Sequence, residues 1–168
     1  MTPVRTFEYR HRVAFEETNL VGNVYYVNLL RWQGRCRELF LMEHCPELLP
    51  ELARGLVMVT TRCSCEFLRE LVAFDEVAVR MRLAERAQNR VTMGFEYWRL
   101  GTGDGGAEPF SRGEELVARG EQQVAFLRRE GGRLVTVPIP AALSSALDGY
   151  AEDEVDLRKT GGARWASA

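Results

Sequence analysis

The sequence predicts an α+β fold in which a long antiparallel five-stranded sheet wraps around one central helix. One stretch of the chain has the period of an amphipathic helix, whereas five others have the alternation or the β-rich composition of strands. Links of hairpin length join most of these strands, and such links imply antiparallel pairing. A chain of 168 residues with 46% apolar composition is the size of one domain and can bury a core without disulfide bonds.

The first half of the chain contains one strand and the central helix. Residues 5–16 alternate aromatic or apolar side chains with charged ones, which predicts the first strand. Turn-forming residues at 19–23 separate it from a long helix predicted over 24–43. Apolar residues recur there at steps of three and four and share one face: Tyr25, Leu29, Trp32, Cys36, Leu39 and Phe40. Pro46 ends the helix, and a short helical turn is predicted over 47–53.

The remainder is predicted to be mainly β-structure. The four further strands are expected over 56–68, 74–85, 90–100 and 114–129. A glycine-rich, flexible hairpin link connects the last two of them over 101–113. A short helix is predicted over 140–150, and it completes a folded domain of residues 1–150. The polar tail, 151–168, has too little apolar content to fold alone, so we expect it to be disordered.

A single helix cannot cover both faces of so large a sheet. The central helix covers one face, and the other face is expected to meet a second copy of the chain. The sequence therefore predicts a homo-oligomer, either a homodimer or a homotetramer.

Charge and composition exclude several classes of protein. A formal net charge of −2 gives no attraction to nucleic acid or to an anionic membrane surface, so we expect neither as a partner. No apolar run approaches the ~20 residues that cross a bilayer. Residues 1–12 are polar and charged, unlike a signal peptide, which indicates a cytoplasmic location. The cysteines lack metal-ligand spacing, so no metal is expected: Cys36, Cys45, Cys63 and Cys65.

The segment from Phe15 to Trp32 carries the most specific motif. It reads FEETNLVGNVYYVNLLRW, and GRLVTVPIP follows at 132–140. Both segments resemble the hot-dog-fold thioesterases of the 4-hydroxybenzoyl-CoA type. The signature of that family is F-x-D-x-D-x-x-G-x-V-Y-Y-x-N-Y-L-x-W, with a closing G-R-x-V-x-I-P. The resemblance implies that residues 1–150 form a hot-dog thioesterase domain.

The loop departs from this signature at an informative position. Asn19 stands where the family usually has its catalytic Asp, whereas Glu17 keeps the first acid. Together with the stretch RWQGRCRE at 31–38, this loop most resembles the branch of the family that serves enediyne polyketide synthases. In that branch an Asn in the loop and an Arg on the helix are implicated in catalysis. The resemblance places those roles on Asn19 and Arg37.

The same resemblance implies a substrate and a partner. The substrate is a polyene acyl thioester, β-keto or β-hydroxy, held on the acyl carrier protein of an iterative polyketide synthase that makes an enediyne antibiotic. A released β-keto acid would then lose CO₂ to give a methyl ketone. The protein itself needs no cofactor, since the phosphopantetheine arm belongs to the carrier-protein substrate.

Thioester hydrolysis needs a polarised carbonyl, an attacking water and stabilisation of the developing oxyanion. The first turn of a helix offers unpaired N–H groups, so we predict an oxyanion site at the backbone amides of Val24, Tyr25 and Tyr26. Asn19 cannot act as a general base at neutral pH, and it is predicted to hold the water or the carbonyl. Arg37 lies about 16 Å further along the helix than Tyr26. It reaches the thioester only if the substrate chain folds back or a neighbouring protomer presents the site.

Other interpretations stay open for these residues. Arg37 could instead bind carrier protein or the phosphopantetheine phosphate, or form a surface ion pair, and Asn19 could be a simple turn former. Substrate contacts are expected from Gly22, Asn23, Leu29, Leu30 and Glu66. Glu66 lies where some relatives place an acid, although its alternation with its neighbours fits a sheet face equally well. A general acyl-CoA thioesterase and a non-catalytic acyl-binding hot-dog module are the two alternative functions.

Overall fold

The structure is a computed structural model that describes residues 5–101 and 113–151. It contains a curled sheet, one long helix and two short helices. In chain order, the elements are β1 (Phe7–Arg12), a 3-10 turn (Phe15–Glu17), α1 (Val27–His44), α2 (Leu48–Ala53), β2 (Leu56–Phe67), β3 (Glu76–Arg86), β4 (Arg90–Leu100), β5 (Glu115–Glu130), β6 (Arg133–Thr136) and α3 (Ala141–Asp148). The predicted fold class is confirmed. The tail at 152–168 and most of the predicted glycine-rich link, 102–112, lie outside the described residues.

Two boundaries and one additional strand differ from the prediction. The first strand ends at Arg12, because the next residues form the 3-10 turn instead of extending the sheet. Helix α1 begins at Val27, three residues later than predicted, because Val24 is still extended and bridges to Thr18. The short strand β6 was missed. It forms a hairpin with β5 through Gly131 and Gly132, which both adopt positive φ values of 54° and 80°.

The sheet has the strand order β1-β3-β4-β5-β2, with β6 also paired to β5, and all these pairs are antiparallel. Its concave face holds the core and packs against α1. From the helix, Trp32, Cys36 and Phe40 are 3%, 0% and 0% exposed. Burial of this apolar face fixes the rotation and the position of α1 on the sheet. No helix among the residues described here is long and apolar enough to cross a bilayer.

A close contact between α1 and the sheet depends on Gly120 of β5. The fully buried Gln33 of α1 donates from Nε2 to the backbone oxygen of Ser64 in β2, at 2.9 Å. A Cβ atom on Gly120 would lie 2.2 Å from that oxygen and 2.5 Å from Gln33 Nε2. Only glycine therefore allows the side chain of Gln33 to reach the backbone of β2.

The outer face of the sheet carries ion pairs rather than an apolar surface. Arg80 pairs with Glu8 and Glu114, and Arg119 pairs with Glu66. This face is therefore suited to contact with water. The prediction that a second copy of the chain covers it loses its basis, because that prediction assumed an apolar face. The free edge of β2 is a different surface: it is 12 residues long, and β2 pairs only with β5 among the described residues. Unpaired N–H and C=O groups along such an edge can pair with another chain.

Candidate active site

A cavity of about 370 Å³ opens beside the start of α1. One wall is the loop before the helix, with Leu29 of α1. The other wall is the end of β2 and the segment that follows it, 67–71. The full lining is Asn19, Asn23, Val24, Tyr25, Tyr26, Leu29, Phe67, Leu68, Arg69, Glu70 and Leu71. The cavity thus gathers Asn19 and the predicted oxyanion residues with two of the predicted substrate-binding residues, Asn23 and Leu29.

The side chain of Asn19 is anchored by its amide oxygen. Oδ1 accepts hydrogen bonds from the backbone N–H groups of Val21, at 3.0 Å, and Asn23, at 3.3 Å. The turn is closed by a bond from the Asn19 N–H to the Asn23 oxygen, and Gly22 adopts a φ of +88° that favours glycine. Asn19 is therefore a turn former, as one interpretation predicted. Because Oδ1 serves the loop, Nδ2 is the group that Asn19 can offer to a ligand, and none of the described residues accepts a hydrogen bond from it.

The backbone amides at the helix start correct part of the prediction. The Val24 N–H donates to the oxygen of Leu71 at 2.8 Å, and the Tyr25 N–H donates to the oxygen of Glu17 at 2.9 Å. Both donors are used within the fold, so the prediction is wrong for these two residues. The physical reason is the later start of α1, which moves the unpaired amides along the chain. The N–H groups of Tyr26 and Val27 have no acceptor within the described part of the chain, and Val27 was not predicted.

Glu17 is the acid nearest to Asn19 along the loop. Its Oε2 accepts from His11 Nε2 at 2.7 Å and from the Ala14 N–H at 2.8 Å, while Oε1 accepts from Trp32 Nε1 at 3.0 Å. Burial tends to raise the pKa of Glu17, but these hydrogen bonds outweigh it and hold the pKa below its usual value. The carboxylate is therefore charged near neutral pH and is fully engaged with donors. It is a poor candidate for a general base.

Arg37 lies away from the cavity. Its Nη1 donates to Gln122 Oε1 at 2.7 Å and to Thr60 Oγ1 at 3.2 Å, and its Nε is buried without a partner. Thr60 is seven positions before Phe67 on β2, a distance of about 23 Å along a strand. Within one protomer, Arg37 and Asn19 therefore lie too far apart to act on the same thioester.

The environment of Arg37 is unusual for a cation. Arg37 is half-buried, and burial lowers its pKa. Within the described residues no carboxylate forms an ion pair with it, and its two hydrogen-bond partners are neutral. The interpretation of Arg37 as a surface ion-pair residue is therefore wrong for this chain.

Three of the predicted substrate-binding residues do not line the cavity: Gly22, Leu30 and Glu66. Phe67 lines it, so the alternation of a strand places Glu66 on the opposite face of the sheet. There Glu66 Oε2 accepts from Arg119 Nε at 2.7 Å. The prediction of a substrate contact for Glu66 is wrong within one chain, and Phe67 is the residue of this pair that faces the site.

Two charged residues in the lining were missed by sequence reasoning. Arg69 and Glu70 follow β2 directly, about 50 positions beyond Asn19 in the chain. No local pattern marks them, because only the packing of β2 beside the loop brings them to the cavity. Glu70 is the single acidic residue of this lining. Among the described residues there is no cluster of three or more His, Cys, Asp or Glu that could hold a metal ion.

The sequence and the fold match known proteins. The profile of the thioesterase-like superfamily matches residues 13–147, and the chain belongs to this superfamily. It is a thioester hydrolase with a hot-dog fold, as the motif predicted. No curated protein matches the sequence.

Solved structures narrow the comparison. The dynemicin thioesterase shares 44% sequence identity with this chain, covers 89% of it and 99% of its own length, and superposes with a TM-score of 0.80. A 1,4-dihydroxy-2-naphthoyl-CoA thioesterase from Synechocystis is 17% identical, over 86% of this chain and 96% of its own, with a TM-score of 0.71. A 4-hydroxybenzoyl-CoA thioesterase is 20% identical, over 85% and 99%, with a TM-score of 0.70. The last two show a shared fold alone.

Proposed function

We propose that this thioesterase hydrolyses a polyene acyl thioester held on the acyl carrier protein of an enediyne-type iterative polyketide synthase, in antibiotic biosynthesis. The observation that carries the proposal is the 44% identity, over 89% of the chain, with the dynemicin thioesterase, a protein that binds a polyene. The neutral side chain of Asn19 at the cavity, where an Asp is usual in the family, supports the same branch.

The chemistry proposed for the site depends on hydrogen-bond donors. The thioester carbonyl would accept from the open amides of Tyr26 and Val27 and from Nδ2 of Asn19, which stabilise the negative charge that develops on its oxygen. Water adds to the carbonyl carbon, the C–S bond breaks, and the thiol of the carrier arm leaves with a proton. Positioning and electrostatics supply the rate enhancement. The released β-keto acid then loses CO₂, a step for which we assign no residue.

The rim of the cavity offers an apolar path for the acyl chain. Tyr25, Tyr26 and Phe67 line the cavity and are 49%, 54% and 51% exposed. The ring centroids of Tyr26 and Phe67 lie 6.4 Å apart. A flat conjugated chain can pack against such ring faces with little loss of conformational entropy, which favours a polyene over a saturated chain.

The oligomer that we propose pairs the free edges of two β2 strands in antiparallel fashion. An axis between Cys63 and Ser64 would set Thr60 of one chain beside Phe67 of the other. Because the Arg37 side chain is hydrogen-bonded to that of Thr60, this arrangement would bring the Arg37 guanidinium to the cavity of the partner subunit. Such a dimer, or a tetramer made from two dimers, would unite Asn19 and Arg37 in one site.

A reconstituted assay tests the proposed function. The carrier protein is loaded with the synthase's polyene, and released acid and methyl ketone are measured by chromatography with and without the thioesterase. We expect release to depend on the enzyme, and equal release in both samples would refute the proposal. Faster cleavage of ordinary acyl-CoA esters would favour the general acyl-CoA thioesterase. Intact biological output together with unchanged ligand binding for Asn19→Ala would favour the non-catalytic acyl-binding module.

A further inference from the structure

We propose that Glu17 is a positioning residue of the thioesterase. It would set the distance between the side chain of Asn19 and the open backbone amides of Tyr26 and Val27, without touching the substrate itself. The inference rests on the proposed function of those donors, and it adds a residue to which neither the motif nor the mechanism above gives a role.

The backbone oxygen of Glu17 joins the loop to the helix. It accepts from the Tyr25 N–H at 2.9 Å and from Asn28 Nδ2 at 2.8 Å. Asn28 is only 7% exposed, so its side chain is held in the core. These two donors lie on either side of Tyr26 and Val27 in the chain. The bonds therefore fix the segment that carries the open amides to a point two residues before Asn19.

The carboxylate of Glu17 fixes that point to the rest of the fold. Its donors come from β1, from the residue before the 3-10 turn, and from the middle of α1. The donor from the helix is Trp32, which is 3% exposed, and its ring centroid lies 4.6 Å from that of His11. His11 Nδ1 lies 3.0 Å from the hydroxyl of Tyr9, which extends the network along β1. Glu17 thus accepts five hydrogen bonds, three at its carboxylate and two at its backbone oxygen.

The loop beyond Glu17 has no comparable support. Leu20 and Val21 are 106% and 78% exposed, and Asn19 is held by bonds within its own turn. The Glu17–Tyr25 bond and the bridge between Thr18 and Val24 together set the distance from the Asn19 turn to the helix start. In a site that depends on positioning, a misplacement of about 1 Å can cost about 100-fold in rate.

Two variants loosen this support in different ways. Glu17→Gln keeps the size of the side chain but replaces a carboxylate oxygen by an NH₂ group, which cannot accept a hydrogen bond. Trp32→Phe removes one donor and keeps a large buried ring. The matched control is Tyr150→Phe, which removes a hydrogen bond to His44 Nε2, 3.1 Å long, at the opposite end of α1. Each of the three variants removes a hydrogen bond made to α1. Thermal unfolding then shows whether the three variants lower Tm by similar amounts.

Steady-state kinetics on the carrier-bound polyene separate an effect on positioning from an effect on folding. We expect Glu17→Gln and Trp32→Phe to lower kcat by about 10- to 100-fold with KM within about twofold, while Tyr150→Phe keeps the kcat of the wild type. Combined with Asn19→Ala, Glu17→Gln should cost about threefold or less beyond Asn19→Ala alone, because both changes act on the same donor.

The outcomes against the proposal are distinct. Three results would each overturn the role of Glu17 while the proposed function stands. In the first, the double variant loses kcat by the product of the two single-variant factors. In the others, kcat is unchanged in both Glu17→Gln and Trp32→Phe, or Tyr150→Phe loses as much kcat as they do. A wild-type enzyme that does not release the polyene would overturn the proposed function and the role of Glu17 together. An Asn19→Ala variant with full kcat would overturn the role of Asn19 Nδ2 and, with it, the role of Glu17, whereas the proposed function would stand. Should Glu17→Gln fail to fold, Trp32→Phe decides the question.

Discussion

The direction in which Asn19 presents its amide can be tested with a single substitution, Asn19→Asp. An aspartate keeps an oxygen in place of Oδ1, so it can still accept from the N–H groups of Val21 and Asn23. It replaces the donor Nδ2 by a second, negatively charged oxygen. The loop should therefore stay folded while the site loses a donor.

The two effects have different magnitudes. Loss of one oxyanion donor costs about 10²- to 10³-fold in kcat, and the added negative charge opposes the oxyanion further. Asn19→Ala, by comparison, also loses the two turn bonds. Both are solvent-exposed, so each contributes about 0.5 kcal/mol and the pair about 1 kcal/mol. For a chain of this size that corresponds to about 2–4 °C in Tm.

The assay combines thermal unfolding with steady-state kinetics on the carrier-bound polyene. We expect Asn19→Asp to have the Tm of the wild type and a kcat at least about 100-fold lower. Asn19→Ala should lose activity and also have a Tm about 2–4 °C lower. If Asn19 instead held the attacking water through its oxygen, a carboxylate would serve equally well or better. An Asn19→Asp variant as active as the wild type would therefore refute the assignment of Nδ2 as the functional group.

Three further predictions concern other parts of the molecule. Glu70→Gln should keep kcat within about threefold of the wild type, whereas a loss of about 100-fold would identify Glu70 as a general base. Gly120→Ala should lower the free energy of unfolding in urea by about 3 kcal/mol or more, because its Cβ would lie 2.2 Å from the oxygen of Ser64. The control Gly94→Ala makes contacts of 3.6 Å and longer and should stabilise the protein by up to about 1 kcal/mol, so equal effects at the two sites would contradict the argument. The lowered pKa of Glu17 means that its charged form stabilises the fold above its usual pKa and loses this effect as pH falls through the lower, folded value. The stability gap between wild type and Glu17→Gln should thus narrow below about pH 4, and a constant gap from pH 7 to pH 3 would contradict it.

The sequence predicted the fold well because period and composition are local properties. Four of the five predicted strands end within about two residues of their observed limits, and α1 ends at His44, one residue beyond the prediction. The start of α1 was misplaced because an apolar pattern continues through Val24 and Tyr25, although both residues precede the helix and Val24 forms a β-bridge with Thr18. Their amides bond to distant carbonyls, and such tertiary contacts leave no local signal. That error of three residues is the reason that two of the three predicted oxyanion donors were wrong.

The same limit applies to the wall of the cavity opposite the loop. Alternation along β2 shows that Glu66 and Phe67 point to opposite faces, but it does not show which face meets the helix. The pairing of β2 with β5 decides this, since Phe67 lies beside Ala118, a residue of the core. A resemblance that places an acid near this position therefore pointed to the right strand and to the wrong face.

Arg37 is the residue for which the isolated chain is least complete. Arg37 is half-buried and has no carboxylate partner among residues 5–101 and 113–151, so it carries a desolvation cost that its two neutral hydrogen-bond partners offset only in part. An anionic group brought to this position would recover that cost, and the developing oxyanion, the carboxylate of the released acid and the carrier-arm phosphate are all anionic. The edge pairing of β2 would deliver such a group from the cavity of the partner subunit. The proposed dimer would thus account for both the guanidinium without an ion-pair partner and the free edge of β2, through a site shared between two copies of the chain.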